Sequence, residues 1–242
     1  MIEIVMVRHA QPLWDPDGRA VSDPGLTEHG QAQAERLARA LSAERFDHYY
    51  ASPLRRTLET AEPVSRALGL EPQLLSWLEE IRLPPMDGQP AEHVYAYIRQ
   101  ARARELARWW DGLPEGESFR HFYDRVAGGI EPLLVESHRA QVHVRGGYRL
   151  WQLPGQSQRL LFVAHLGTIS MMLAHLLGLE PVPWMWEQFQ LDWAGIVRVR
   201  SNPIAGGAVW ALIAFNQCEH LADLVKPQGP AWAEPETASP AL

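Results

Sequence analysis

Cysteine is almost missing from this chain. Cys218 is the only one in 242 residues, so no disulfide can form within the chain, and a reducing, cytoplasmic setting is expected. Excess positive charge is missing too: 22 Lys and Arg stand against 29 Asp and Glu, a formal net charge of −7. Nucleic acids and acidic membranes bind clustered cations, so neither is expected as a partner. An anionic substrate would need a local positive pocket on this acidic body. There is no long hydrophobic run. The most apolar stretch, Leu160 to Leu179, is interrupted by His165, His175 and two glycines, which excludes a membrane span. The N-terminal run carries Glu3 and Arg8 and is too short for a signal-peptide core. No histidine has metal-ligand spacing such as His-Glu-x-x-His, and no glycine-rich nucleotide loop is present. Gly155-Gln156-Ser157-Gln158-Arg159 lacks the second glycine of a nucleophile elbow, and no arginine stands six residues after Cys218 as a cysteine-phosphatase loop would require. The expected content of cofactor and metal is therefore none.

What the chain has is apolar substance. At 46% hydrophobic and 21% charged, it can bury a sizeable core, and a single domain over residues 1–225 is expected. Residues 226–242, rich in Pro, Ala and Glu, read as a disordered tail. Two runs stand out. Ile2-Glu3-Ile4-Val5-Met6-Val7 stops at Arg8-His9, and Leu160-Leu161-Phe162-Val163-Ala164 stops at His165. Buried strands of an α/β sheet read as continuous Val, Ile and Leu runs, and ligands of such folds collect at the strands' carboxyl ends. Two strands that each deliver a histidine to that edge would present two imidazoles to one pocket, with the Arg8 guanidinium beside them. That combination suits a phosphate dianion, with one imidazole free to attack it.

Local patterns place the other elements. Thr27 opens a helix with Ala34, Leu37, Ala38 and Leu41 at helical spacing. His48 to Ala51 reads as a strand, and Ser52-Pro53 as the N-cap and first position of a helix that runs to about Ala67 and ends at Gly69. Residues 74–81 read as a further strand and 83–90 as a proline-rich loop. Residues 91–138 are helical in two segments and interrupt the strand–helix alternation, so residues 83–138 are expected to form an insertion over one face of the sheet. Val142 to Trp151 alternates around Gly146-Gly147 as a hairpin does. A helix from about Thr168 to Leu177 and an antiparallel pair, 196–200 with 209–215, close the pattern.

Three further segments bear on chemistry. Ser52-Pro-Leu-Arg-Arg56-Thr-Leu-Glu-Thr60-Ala61 puts Arg56 in the first turns of a helix, where free N–H groups and the dipole favour anions. Trp77-Leu-Glu-Glu80-Ile81 leaves a carboxylate at the end of an apolar run, and Leu26 to Ala34 is a helix start. Together with Arg8-His9, His165-Leu-Gly167, Gly116-Glu117-Ser118 and Phe215 to Leu221, these segments resemble the histidine phosphatase superfamily, in its phosphoglycerate-mutase-like branch. The resemblance spans nearly the whole chain. It implies a three-layer α/β fold with a mostly parallel central sheet, and a metal-independent phosphomonoesterase acting on a small-molecule phosphate ester. It further implies that His9 attacks phosphorus and carries the phosphoryl group, that Arg8, Arg56 and His165 surround the non-bridging oxygens, and that Glu80 is the general acid and base.

The chain departs from that family's pattern where Ala10, Pro12 and Asp15 stand after the histidine. Pro12 has no hydroxyl, and Asp15 would repel a phosphate that it faced. Two rivals follow: a phosphomutase using the same phosphohistidine, and a catalytically weak binding or regulatory relative. Glu79 competes with Glu80 for the carboxylate role, while Glu117 reads as a loop brace. Trp109 and Trp110 read as core residues or as the mouth of a pocket. Trp184 and Trp186 would suit an interface, which leaves a homodimer open.

Overall fold

The computed structural model describes residues 1–224; the tail expected from residue 226 onward lies outside them. At the centre is β1 (Ile2–Arg8) beside β6 (Gln158–Ala164), paired in parallel from Ile2 opposite Gln158 to Arg8 opposite Ala164. Alternate side chains of a strand point to opposite faces, and both strands are apolar on both faces. Ile2, Ile4 and Met6 enter one buried cluster with Leu160 and Phe162. Val5 and Val7 enter another with Leu161 and Val163. A run without alternation is what burial on two sides requires.

Each face is covered by helices whose own periodicity explains the match. On the Val5 side lie α1 (Glu28–Leu41), with Leu37, Ala38 and Leu41 buried, and α2 (Arg55–Leu68), with Ala61 and Val64 buried. Thr27 caps α1, its Oγ1 accepting from the Gly30 N–H at 2.9 Å. Gly30 packs against the loop that leaves β1, so tightly that a Cβ would stand 2.2 Å from the Gln11 carbonyl oxygen. On the Ile4 side lie α4 (Phe119–Pro132) and α5 (Leu166–Leu177). Three layers result, as expected.

The sheet is mixed. Its order is β3-β2-β6-β1-β7-β8-β5-β4, where β2 is His48–Ala51, β3 Gln73–Leu74, β4 Gln141–Arg145, β5 Tyr148–Gln152, β7 Ile196–Ile204 and β8 Gly207–Gln217. The half containing β3, β2, β6 and β1 is parallel, as the α/β expectation requires. From β1 across β7, β8 and β5 to β4 every pairing is antiparallel; β7–β8 and β4–β5 are hairpins, whose short connections allow only that direction.

Three local expectations need correction. Residues 74–81 are not a strand: only Gln73–Leu74 pairs, and Ser76–Leu78 forms a 3₁₀ turn. Its apolar side chains, Trp77 and Leu78, pack on the larger cluster with α4 instead of entering the sheet. Ser52 does not cap α2, whose N-cap is Leu54. The helix after β6 starts two residues before the expected Thr168, with His165 as its N-cap. Within residues 83–138, α3 (Ala91–Arg102) and the 3₁₀ turn Leu106–Asp111 are largely exposed. In contrast, Phe122, Val126 and Ile130 of α4 are fully buried in the core, so this part of the block is foundation as well as cover.

Candidate active site

The carboxyl ends of β1 and β6 are held level by a hydrogen bond from the His9 N–H to the Ala164 carbonyl at 2.9 Å. That register brings the imidazoles of His9 and His165 to 5.1 Å between ring centroids, tilted by 60°. β2 lies on the other side of β6, and the first turn of α2, which follows it, carries Arg56. His9 is 4% exposed, Arg56 3% and His165 0%. Arg8, Arg56 and Glu80 feel one another's charge. Five residues up to 157 positions apart in sequence are thus brought together beside the carboxyl ends of β1 and β6.

The two imidazoles have defined partners. His9 Nδ1 lies 2.7 Å from the Ala10 carbonyl oxygen, which can only accept, so Nδ1 carries the proton and Nε2 keeps its lone pair. His165 Nε2 lies 2.9 Å from Ser52 Oγ, and that oxygen already accepts from the Leu54 N–H at 3.3 Å. With the Ser52 hydroxyl donating to Nε2, the Nδ1–H of a neutral His165 is a donor. Burial, then Arg56, then Arg8 hold the His9 pKa well below the ordinary value; burial, then Arg56, do the same for His165. Both rings are therefore neutral at neutral pH, and the positive charge of the site is carried by its guanidiniums.

Each guanidinium lies over an indole, a placement worth about 0.5–2 kcal/mol where desolvated: Arg8 is 5.4 Å from the Trp193 ring centroid and Arg56 5.0 Å from that of Trp14. Arg8 donates through Nη1 to the Leu191 carbonyl at 2.5 Å. Burial lowers its pKa to about 10, partly offset by Glu80 and Asp192, and it stays charged. Several donors have no hydrogen-bond partner although they are buried: Arg8 Nε, Arg56 Nε and Nη1, and His165 Nδ1. Asp23 Oδ1 is 3.6 Å from Arg56 Nη1. A buried unsatisfied polar group costs about 1–3 kcal/mol, and this set is what a phosphoryl oxyanion would satisfy.

Glu80, and not Glu79, is the carboxylate that feels the charges of Arg56 and Arg8. Its Oε2 accepts from the Gly167 N–H at 2.9 Å and its Oε1 from the Ile81 N–H at 3.0 Å. Glu79 pairs instead with Arg82 at 3.2 Å. Burial raises the Glu80 pKa, against the opposing pull of Gly167, Ile81, Arg56 and Arg8. Gly167 is fixed by this contact, since a Cβ there would stand 2.3 Å from Glu80 Oε1. Gly167→Ala is accordingly expected to keep the fold while lowering kcat/KM about 10²-fold, the usual consequence of an ångström-scale displacement of a reacting group. Steady-state kinetics beside a melting curve would check it.

The departures after His9 have structural answers. The Ala10 N–H donates to Thr60 Oγ1 at 3.0 Å, and Pro12 forms a bridge with Leu26. Asp15 accepts from the Tyr95 hydroxyl at 2.9 Å, which anchors it to α3, while its neighbour Trp14 lies under Arg56. The loop of residues 12–24 is closed against residues 84–90 by Ala20 N–H to Gln89 O and Gly88 N–H to Ala20 O, each 2.9 Å, and by Ser22 on Asp87. Trp109 meets Trp184 edge-on at 6.2 Å, Trp110 lies under Arg120, and Trp186 stacks on Phe119 at 4.6 Å. The four tryptophans thus find partners within the chain. Ser52, Trp14 and Trp193 touch His165, Arg56 and Arg8, and Thr60 holds the Ala10 N–H, which the sequence did not reveal; Ser52 and Thr60 belong to the segment that carries Arg56, whereas the tryptophans carry no local signal. Among the described residues, no group of three or more His, Cys, Asp or Glu side chains could hold a metal ion, and no helix is long and apolar enough to cross a membrane.

Comparison with known proteins agrees with this geometry. The model of the histidine phosphatase superfamily (branch 1) matches residues 4–209. Phosphoserine phosphatase 1 of Hydrogenobacter thermophilus is 34% identical over 139 residues, 54% of this chain and 64% of that protein, so the match spans a little under two thirds of that relative. A probable phosphoglycerate mutase GpmB of Escherichia coli (strain K12 / DH10B) is 27% identical over 227 residues, 91% of this chain and 95% of that one. Among solved structures, a mycobacterial glucosyl-3-phosphoglycerate phosphatase in complex with VO3 superposes with a TM-score of 0.66 at 25% identity, covering 88% of this chain and 98% of the other.

Proposed function

Because the chain belongs to the histidine phosphatase superfamily (branch 1), we propose that it is a metal-independent phosphomonoesterase that passes the phosphoryl group of a small phosphorylated metabolite through His9 to water. The observation that carries this reading is the neutral His9, its Nδ1–H bound to Ala10 O, beside buried guanidinium donors without partners. Nε2 attacks phosphorus in line. The ester P–O bond breaks, its electron pair goes to the leaving oxygen, and protonated Glu80 supplies the proton. Water then attacks the phosphohistidine and gives a proton to the Glu80 carboxylate; the P–N bond breaks, and its pair returns to Nε2. Arg8, Arg56 and the Nδ1–H of His165 stabilise the equatorial oxygens throughout, a fixed electrostatic clamp of the kind phosphoryl transfer depends on.

The test is hydrolysis of a generic aryl phosphate in the presence of chelator. Turnover that resists chelation and is blocked by vanadate supports the reading; loss of turnover on chelation contradicts it. The pH dependence supplies a second check. His9 must be unprotonated and its pKa is depressed, so kcat/KM is expected to hold well below pH 6.5. Glu80 must be protonated in the first step and its pKa is raised by burial, so kcat/KM falls as the pH rises through that pKa. With a primary alkyl phosphate, whose alkoxide needs a proton to leave, Glu80→Gln is expected to lower kcat/KM about 10²–10⁴-fold and to remove this alkaline limb, as a kcat/KM–pH profile of both proteins on that substrate would show.

A second reading, a phosphomutase, is favoured by the long match to the Escherichia coli protein. It requires phosphoryl exchange between positions of one sugar acid and dependence on a bisphosphate primer, and a coupled assay separates the two. A reducing, cytoplasmic compartment is part of the same proposal, and the single cysteine is consistent with it. An acidic surface fits a small phosphate ester as partner rather than nucleic acid or membrane.

A further inference from the structure

Arg125 projects from α4 and divides its donors between the turn that carries Glu80 and the Glu117 carboxylate. Its Nη1 donates to the carbonyls of Trp77 at 2.9 Å and Glu79 at 3.0 Å, and its Nη2 to the carbonyl of Glu80 itself at 3.2 Å. The remaining donors form a two-pronged pair with Glu117, Nε to Oε1 at 2.9 Å and Nη2 to Oε2 at 2.7 Å. Glu117 closes the other end of the same segment: its N–H donates to the Arg82 carbonyl at 2.7 Å, and its Oε2 accepts from the Arg82 N–H at 3.2 Å. The backbone on both sides of Glu80 is therefore held by one ion pair from outside the sheet. The turn has no ladder to hold it, since β3 ends at Leu74. Burial works against the Glu117 carboxylate, yet Arg125 outweighs it and keeps it ionised. A planar guanidinium fixes direction as well as distance, which an ammonium on a flexible stem does not.

From this clasp we infer that Arg125, together with Glu117, is a positioning pair that aims the Glu80 carboxyl at the leaving oxygen. The inference rests on the acid role of Glu80 proposed above. Neither residue touches the substrate. Its hydrogen bonds reach the Glu80 turn and no part of His9, Arg8 or Arg56; His165 feels the Arg125 charge only as the last and smallest of the causes that lower its pKa, and Arg125→Lys keeps that charge.

A structural role and a positioning role differ in what they do to leaving groups. A nitrophenolate departs without a proton, whereas an alkoxide needs one. kcat/KM reports only steps up to the first irreversible one, so it excludes the later hydrolysis in which Glu80 is the base. Arg125→Lys is expected to lower kcat/KM for a primary alkyl phosphate about 10–100-fold, within the range that general acid catalysis contributes, and that for p-nitrophenyl phosphate less than about threefold. Glu117→Gln, which leaves the bonds from Arg125 to the three carbonyls in place, should show the same selectivity at smaller size, and it decides the matter if Arg125→Lys melts too low to assay. In a Glu80→Gln background, Arg125→Lys should cost less than about twofold more, because residues acting as a unit are not additive. Parallel losses on the two substrates, or an undiminished loss in the Glu80→Gln background, would overturn the positioning role. If Glu80→Gln itself struck both substrates equally, the acid role of Glu80 would fall first, and the clasp's purpose with it.

Discussion

His9→Ala is expected to lower phosphatase turnover by about 10⁴-fold or more, the scale at which removing a covalent nucleophile leaves only binding and oxyanion contacts. No neighbour can take over. His165 is engaged through Nε2 with Ser52, and His175 lies elsewhere, beside Glu131 at 2.9 Å. The variant should nonetheless fold and still bind inorganic phosphate, because Arg8 and Arg56 remain and the backbone bond from residue 9 to Ala164 is untouched. A stopped assay on the purified variant, with phosphate binding measured by calorimetry, checks both halves. Retained binding with lost turnover separates a missing nucleophile from a collapsed site.

Arg56→Ala should be nearly as damaging, with kcat/KM lower by about 10³-fold, since a preorganised donor at a developing phosphoryl charge is worth about 10²–10⁵ in rate. Arg56→Lys should recover only part of it, because an ammonium cannot reproduce the planar fork. The variant also carries a distinctive second sign. Arg56 is the chief charge that depresses the His9 pKa, so its removal lets that pKa rise, and the acid limb of kcat/KM moves to higher pH. Stability should move the other way from activity. Arg56 is a buried cation with two nitrogens lacking a hydrogen bond and only a half-exposed Asp23 at 3.6 Å as counter-ion, so Arg56→Met is expected to melt at or above the parent temperature, as charges held for function rather than for folding tend to allow. Thermal melts beside pH–rate profiles would show whether activity and stability part in this way.

Much of the site could be read from the chain because its parts sit at element boundaries. Runs such as 4–7 and 160–164 are apolar without alternation, as burial on both faces requires, and Arg8-His9 and His165 stand where those runs end. Arg56 is legible for a similar reason, as a cation in a helix's first turn. Tertiary competition was less visible. Ser52-Pro53 has the local form of a helix cap, but the Ser52 hydroxyl is claimed by His165, which lies 113 positions away. Residues 74–81 are as apolar as a strand, yet Trp77 is seated against Gly129 of α4, where a Cβ would stand 2.2 Å from the indole, and that contact takes the segment out of the sheet. Trp14 and Trp193 come from loops, and no local periodicity marks a ring that will lie beneath an arginine. Asp15, which reads as a repulsive charge next to phosphate, is turned aside by a tyrosine 80 positions on.

The most direct measurement is rapid-quench labelling with a radioactive phosphate ester, followed by peptide mapping. Stoichiometric, acid-labile phosphate on Nε2 of His9 is the expected result. Hydrolysis with no such adduct, or label on a residue other than His9, would contradict it.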